Sequence, residues 1–231
     1  MLKIVHAADL YRRPLLAASM YRDRAAQFKE RLRWDAIRLD DMGLEFDEYD
    51  ELNPVYVIIE NGVGEHVGSG RLLPTSGRTM IAEHFPDLMG DVALSSPLIW
   101  EVTRFCVSPR LRQDDPLFRR APAALFWAGF ELAVRAGVEF FCAVYFSHMQ
   151  RVWKAIGAEP EVLGVRRTNE GDICGGLWEI TPQLRDRLAR RAGPLADAPV
   201  DFIGGEDRFS LNVPAPSSKS FGGVTPLHFL V

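Results

Sequence analysis

One stretch constrains the fold more than any other. Trp100-Glu101-Val102-Thr103-Arg104-Phe105-Cys106-Val107 is dominated by branched and aromatic residues and is bounded by Pro97 and by Ser108-Pro109, so it reads as a strand. It nonetheless holds Glu101 and Arg104, charges that an interior strand keeps only with partners. Side chains alternate between the faces of a strand, so residues three apart point to opposite sides. The two charges serve one pocket only if the strand is bulged between them, and bulges often sit beside active sites. The plainer reading, which these residues by themselves favour, is an edge strand with two solvated charges. The rest of the chain shifts that balance.

The chain has 231 residues, 47% of them hydrophobic, enough for one domain with a sizeable core. Its net charge of −4 argues against a nucleic-acid partner. No apolar run approaches the ~20 residues of a membrane helix, and the N-terminus lacks the apolar core of a signal peptide. Cys106, Cys142 and Cys174 are widely spaced in apolar surroundings, which fits buried thiols in a cytoplasmic protein. The histidines lack ligand spacing, so no metal is expected.

In order, residues 2–7 read as a first strand and 14–32 as a helix with an imperfect apolar stripe and many arginines. Residues 35–53 read as an acidic surface loop. Residues 55–60 and 66–73 form a hairpin opened by Asn61-Gly62, with Gly68 and Gly70 marking a bulge or close backbone approach. Residues 116–136 are the clearest helix, ended by Gly137. Residues 138–146 are a nearly continuous apolar run, the mark of a strand buried on both faces. Ser147 is placed to cap a helix over 148–156. Strands at 161–168 and 173–181 and a basic helix at 182–191 close the domain, residues 1–193. From Pro194 onward a Pro/Gly-rich extension, 194–231, offers Phe202, Phe209, Phe221 and Phe229 as anchors.

The chain shows no Ser-His-Asp order, phosphate-binding loop or dinucleotide fingerprint. What it has is a set of charged and aromatic residues near element ends: Arg24, Phe28, Trp34, Asp47, Asp50, Arg71, Phe85, Glu101 and Arg104. Carboxylates and arginines together suggest an ion-pair network around a zwitterionic ligand, walled by aromatics. A purely structural network fits these residues as well.

Their order and separation resemble the LuxI-type acyl-homoserine-lactone synthases, the autoinducer synthases of bacterial quorum sensing. The matching pieces are Arg24-x-x-x-Phe28-x5-Trp34, Glu45-Phe46-Asp47-x-x-Asp50, Arg71-Leu72-Leu73-Pro74-Thr75, Phe85 and Glu101-x-x-Arg104-Phe105. The resemblance implies a GNAT-like α/β fold: three αβα layers around a twisted mixed sheet with a V-shaped splay between central strands. It also implies transfer of an acyl chain from acyl carrier protein (in some relatives acyl-CoA) to the amine of S-adenosylmethionine. Lactone closure then releases methylthioadenosine. S-Adenosylmethionine is a substrate there, and no cofactor is implied.

On that resemblance Glu101 is the candidate base and Arg104 the group that orients the ligand carboxylate, with a salt bridge to Arg71 or Arg104 as the alternative role for Glu101. Arg24, Phe28, Trp34, Asp47, Phe85, Thr103, Arg104 and Phe105 would bind S-adenosylmethionine, and Asp50 and Arg71 would brace the ion-pair network. The acyl chain is expected between the sheet and the helix at 116–136, near Leu125, Trp127, Phe141, Ala143, Tyr145, Met149 and Trp153, although plain core explains most of these. Ala143 stands where relatives that prefer 3-oxo chains often carry threonine, so an unsubstituted or 3-hydroxylated chain is expected. Arg119, Arg120, Arg151 and Lys154 offer a basic surface to an acidic carrier protein. Two alternatives stay open: a GNAT-like N-acetyltransferase using acetyl-CoA, whose pyrophosphate loop is missing after Val107, and a non-catalytic binder of S-adenosylmethionine or an acyl carrier.

Overall fold

The computed structural model describes residues 1–34, 36–205 and 209. Among these, eight strands form one sheet: β1 Leu2–His6, β2 Val55–Glu60, β3 His66–Pro74, β4 Ile99–Val107, β5 Phe140–Phe146, β6 Glu161–Arg166, β7 Ile173–Glu179 and β8 Asp201–Ile203. Their order is β6-β7-β5-β4-β3-β2-β1-β8. The pairs β4–β5 and β1–β8 are parallel and the other pairs antiparallel. The helices are α1 Pro14–Ala25, α2 Met80–His84, α3 Pro116–Arg135, α4 Gln150–Ile156, α5 Pro182–Ala192 and α6 Pro194–Asp197. Helix α1 and its π-helical continuation Ala26–Arg31 lie with α2 on one face. Helices α3 and α5 lie together on the other. This is the expected GNAT-like arrangement, and β8 brings residues 201–203 of the extension back beside β1.

The main core lies between the sheet and α3, where Ala121, Ala124, Leu125, Ala128 and Leu132 repeat at helical steps and are all buried. Helix α1 explains its own imperfect stripe. Among its buried residues, Leu16, Ser19, Met20, Asp23 and Arg24 follow a regular helical period, but three of these five are polar. A helix that carries site chemistry on its inner face loses the apolar pattern by which amphipathic helices are read.

The sheet opens in its centre. β4 and β5 pair only at Ile99↔Phe140, Trp100↔Phe141 and Glu101↔Cys142. Beyond Glu101, β4 stays with β3 while β5 stays with β7, which produces the expected splay.

Some local expectations change. Ser147 does not cap a helix. A short 3₁₀ turn, Ser147–Met149, intervenes before α4, and neither start has a side-chain cap. The hairpin loop runs from Asn61 to Glu65, with the Asn61 side chain accepting from Val63 and Glu65. Its positive φ falls on Gly64, not Gly62. The segment expected as an acidic surface loop is partly interior, since Glu45 and Asp50 are buried. All three cysteines are free and buried. Phe221 and Phe229 lie outside the described residues.

Candidate active site

The bulge demanded by the spacing of Glu101 and Arg104 is present. Ser69 faces Cys106 and Arg71 faces Thr103, so Arg104 and Phe105 together oppose Gly70 alone. Arg104 absorbs the extra residue with φ of 48°, a left-handed conformation that costs a non-glycine residue roughly 1–2 kcal/mol. The neighbouring β3 backbone must come close, and Gly68 allows it: a Cβ there would meet Leu125 at 3.1 Å and the Cys106 carbonyl at 3.2 Å. As a result Glu101, Thr103 and Arg104 share the face under α1 and α2, while Phe105 turns to the α3 face and packs on Phe126.

Glu101 is fully buried. Its Oε1 accepts from the Ile81 N–H at 2.6 Å and its Oε2 from the Met80 N–H at 3.1 Å. These are donors at the start of α2, which Thr79 caps. The expected alternative, a salt bridge to Arg71 or Arg104, is not formed. Burial pushes the carboxyl up to about 7, although the two N–H groups and the charges of Arg71 and Arg104 pull the other way. A carboxyl poised near neutrality suits a general base.

Beside it stands a buried lattice of alternating charge. Arg24 binds Asp50 through both terminal nitrogens, at 3.1 and 2.8 Å, and donates to Glu45. Arg71 donates to Asp50 at 2.8 Å, to Thr103 Oγ1 at 2.9 Å, and to both oxygens of Asp47. Arg104 joins Glu45 at 3.0 Å and Asp47 at 2.6 Å. Burial alone would raise the Asp50 carboxyl. The charges of Arg24 and Arg71 outweigh it and hold Asp50 far below the ordinary range. Asp47 and Arg104 keep 18% and 13% exposure. They form the solvent-touching rim, where a ligand could exchange for an existing ion pair.

The aromatics divide into two places. Phe28 and Trp34 stack at 5.1 Å, Arg104 lies over Phe28, and Trp34 reaches Phe146 at the end of β5. This spans the open end of the splay. Phe85 stands apart at the end of α2, under the Arg166 guanidinium. Sequence reasoning gave no role to Tyr56, whose hydroxyl donates to Asp50, or to Tyr49, which lies over Arg71 and donates to Glu83. Glu45 appeared only as part of a motif, yet it bridges two arginines. Asp23, His66 and Ser69 also form an unexpected hydrogen-bonded series, at 2.8 and 3.0 Å. All three are buried, and this triad-like chain ties α1 to β3.

On the other face a void of about 10 Å³ lies between the sheet and α3, lined by Gly70, Leu72, Val102, Phe105, Leu125, Phe126, Gly129 and Phe141 among others. It holds about one water, so an acyl chain enters only if these side chains move. Leu125 and Phe141 line it. Ala143 and Tyr145 follow on the same face of β5, and Trp153 packs on Phe105, Phe126 and Tyr145. Trp127 belongs to the core and Met149 to its margin, and neither lines the void. Arg119, Arg120, Arg151 and Lys154 are exposed, on α3 and on α4 beside it. Among the described residues no cluster of His, Cys, Asp and Glu could hold a metal ion, and no helix is long and apolar enough to cross a membrane.

Residues 9–173 match the sequence model of the autoinducer synthases. An acyl-homoserine-lactone synthase of Rhizobium etli is 37% identical over 178 residues, spanning 74% of this chain and 82% of the relative. One of Agrobacterium fabrum is 32% identical over 169 residues, 71% of this chain and 76% of the relative. The structure of a CoA-dependent acyl-homoserine lactone synthase, BjaI, with SAM and isopentyl-CoA, superposes with a TM-score of 0.75 at 27% identity, covering 89% of this chain and 94% of that one. The chain therefore belongs to the autoinducer synthase family, the acyltransferases that make acyl-homoserine lactones.

Proposed function

We propose that the chain acylates the amine of S-adenosylmethionine at the β4–β5 opening, taking the acyl group from acyl carrier protein, and that the methionyl part then closes to the lactone. The carrying observation is the bulge, which sets Glu101 and Arg104 on one face beside the opening. The amine is largely protonated in water and must lose a proton before it attacks the thioester. Glu101, with its carboxyl near 7, accepts that proton directly or through one water. Past Glu101 the β4 edge has no β5 partner, so backbone N–H groups near Phe105 can receive the thioester oxyanion. Arg104, leaving part of its pairing with Asp47, orients the substrate carboxylate. Attack of that carboxylate on the carbon bearing the sulfonium closes the ring and expels methylthioadenosine, which is chiefly a positioning task. Phe28 and Trp34 cover the sulfonium and adenine. Asp47 closes the rim, while Arg24, Asp50 and Arg71 hold it in place.

The exposed arginines and lysine on α3 and α4 support the acidic carrier protein as donor. The likeness to a CoA-dependent synthase supports acyl-CoA as the second reading. Purified chain incubated with S-adenosylmethionine and matched acyl carrier protein and acyl-CoA donors is expected to yield acyl-homoserine lactone and methylthioadenosine by mass spectrometry, fastest with the carrier protein. An N-acylated product that never lactonises, or none from either donor series, refutes the proposal. Faster turnover with CoA overturns the donor assignment alone.

A further inference from the structure

The indole N–H of Trp153 has no hydrogen-bond partner although Trp153 is 97% buried, at 3% relative exposure. An indole N–H can only donate, and leaving a buried donor unpaired is costly enough that each case calls for an explanation. Its ring neighbours are Phe105 at 5.4 Å, Phe126 at 5.3 Å, Trp178 at 5.3 Å and Tyr145 at 5.9 Å. The Tyr145 hydroxyl is the only polar side-chain group on these four rings besides the Trp178 N–H, which is already bonded to the Ala158 carbonyl. That hydroxyl is itself buried without a hydrogen bond. Its polar neighbour is the Gln150 side chain, whose amide also reaches Cys174 Sγ, at 3.9 Å.

These two unsatisfied groups are not scattered. Phe105 is the bulge residue of β4, and Phe105 and Phe126 both line the void under α3. Tyr145 lies two residues beyond Ala143 on the β5 side of the splay. Trp153 therefore packs directly on two rings that line the void, one of them at the bulge, and Tyr145 lies behind, against Trp153. If the thioester carbon lies at the bulge, the third carbon of the chain is two bonds further in, beside these rings. A saturated chain would leave the Trp153 N–H unpaired and the Tyr145 hydroxyl with only Gln150 beside it.

Resting on the synthase reading above, we propose that Trp153, assisted by Tyr145, recognises an oxygen on the third carbon of the acyl chain. The Trp153 N–H donates to that oxygen. The Tyr145 hydroxyl accepts from a 3-hydroxyl group or donates to a 3-oxo group. Ala143 brings no hydroxyl of its own to this stretch of β5, so the discrimination falls to the two aromatic residues.

The test uses the full chain with S-adenosylmethionine and donors of one chain length, unsubstituted, 3-hydroxy and 3-oxo, each on carrier protein and on CoA. The wild type should favour an oxygenated donor by roughly tenfold or more in kcat/KM. In Trp153→Phe the ratio of oxygenated to unsubstituted donors should collapse toward one, whatever the absolute rate. Tyr145→Phe, which removes a single oxygen, should shrink the same ratio and serves if the first variant does not fold. A structural role for these rings would lower all donors equally and leave the ratio unchanged, which overturns the proposal. So does a wild type that prefers the unsubstituted chain. Lactone formed without discrimination at the third carbon refutes this inference alone, and no lactone from any donor refutes the synthase reading with it.

Discussion

Glu101→Gln isolates the base with little change in volume. The substitution keeps one oxygen to accept from Ile81 or Met80 but removes the ionisable group. General-base catalysis contributes about 10²–10⁴ in rate, so kcat should fall by that factor, while KM for S-adenosylmethionine changes far less because the amide oxygen of the variant still accepts from the substrate amine. The wild-type kcat/KM should rise with pH through an ionisation near 7. Comparing the variant on the same substrate removes the substrate's own titration, and this limb should be missing from the variant. Stability gives a second, independent readout. Because burial raises the carboxyl from 4.5 to about 7, the native state holds a proton over that interval that the unfolded state has lost. His66, held below its ordinary value by burial, contributes the opposite trend near its own range, so the Glu101 contribution is read as wild type minus variant, and it falls by about 3 kcal/mol in all as pH rises from about 4.5 to 7. The variant lacks this slope. Steady-state kinetics and urea denaturation between pH 5 and 8 test both statements. A variant that keeps the rising limb and loses less than tenfold in kcat refutes Glu101 as the base.

Further outcomes follow from the surrounding geometry. Asp50→Asn leaves Arg24 and Arg71 short of one buried carboxylate and should cost about 3–5 kcal/mol in denaturant unfolding; a loss under ~1 kcal/mol refutes an interior network. The wild-type Asp50 contribution is present above its ordinary range near 3.8 and should be lost only as pH falls well below that value. Gly175→Ala drives a Cβ into the Leu88 carbonyl oxygen, displacing the turn Pro86–Met89 that follows α2. It should destabilise by about 1–3 kcal/mol and lower kcat through the α2 donors to Glu101, and unchanged melting would contradict the close approach. Gly129→Val fills part of the void against Phe141 and should lower kcat/KM for the longest accepted acyl donor by roughly tenfold relative to the shortest; an unaltered length profile places the chain elsewhere. Reversing charge at Arg151 and Lys154 should raise KM for acyl carrier protein but not for acyl-CoA, and equal KM values argue against docking there.

What the sequence made legible was the contradiction in one strand. Alternation forbids Glu101 and Arg104 a common face, and only a bulge resolves it, so the bulge was foreseeable from spacing. The glycines of β3 pointed to the same place. The lattice around it was harder to read because its arginines come from three distant points, positions 24, 71 and 104. Its carboxylates lie in a loop whose composition suggests solvent. Nothing local distinguishes Glu45, which is buried between two arginines, from exposed Glu48. Tyr56 looked like an ordinary strand aromatic. The acyl side was legible only as apolar residues, because packing, not pattern, decides which of Leu125, Trp127 and Phe141 faces the void. The unpaired Trp153 N–H emerges only when every donor around it is accounted for.

The proposed chemistry rests on the bulge of β4 bringing a base and a carboxylate-orienting cation to one substrate. A crystal structure of the chain with S-adenosylmethionine tests this most directly. The substrate amine should lie within hydrogen-bond reach of Glu101, about 2.6–3.2 Å or through one water, with the substrate carboxylate on Arg104. An amine remote from Glu101, or a carboxylate held elsewhere while Arg104 keeps both Glu45 and Asp47, would contradict it.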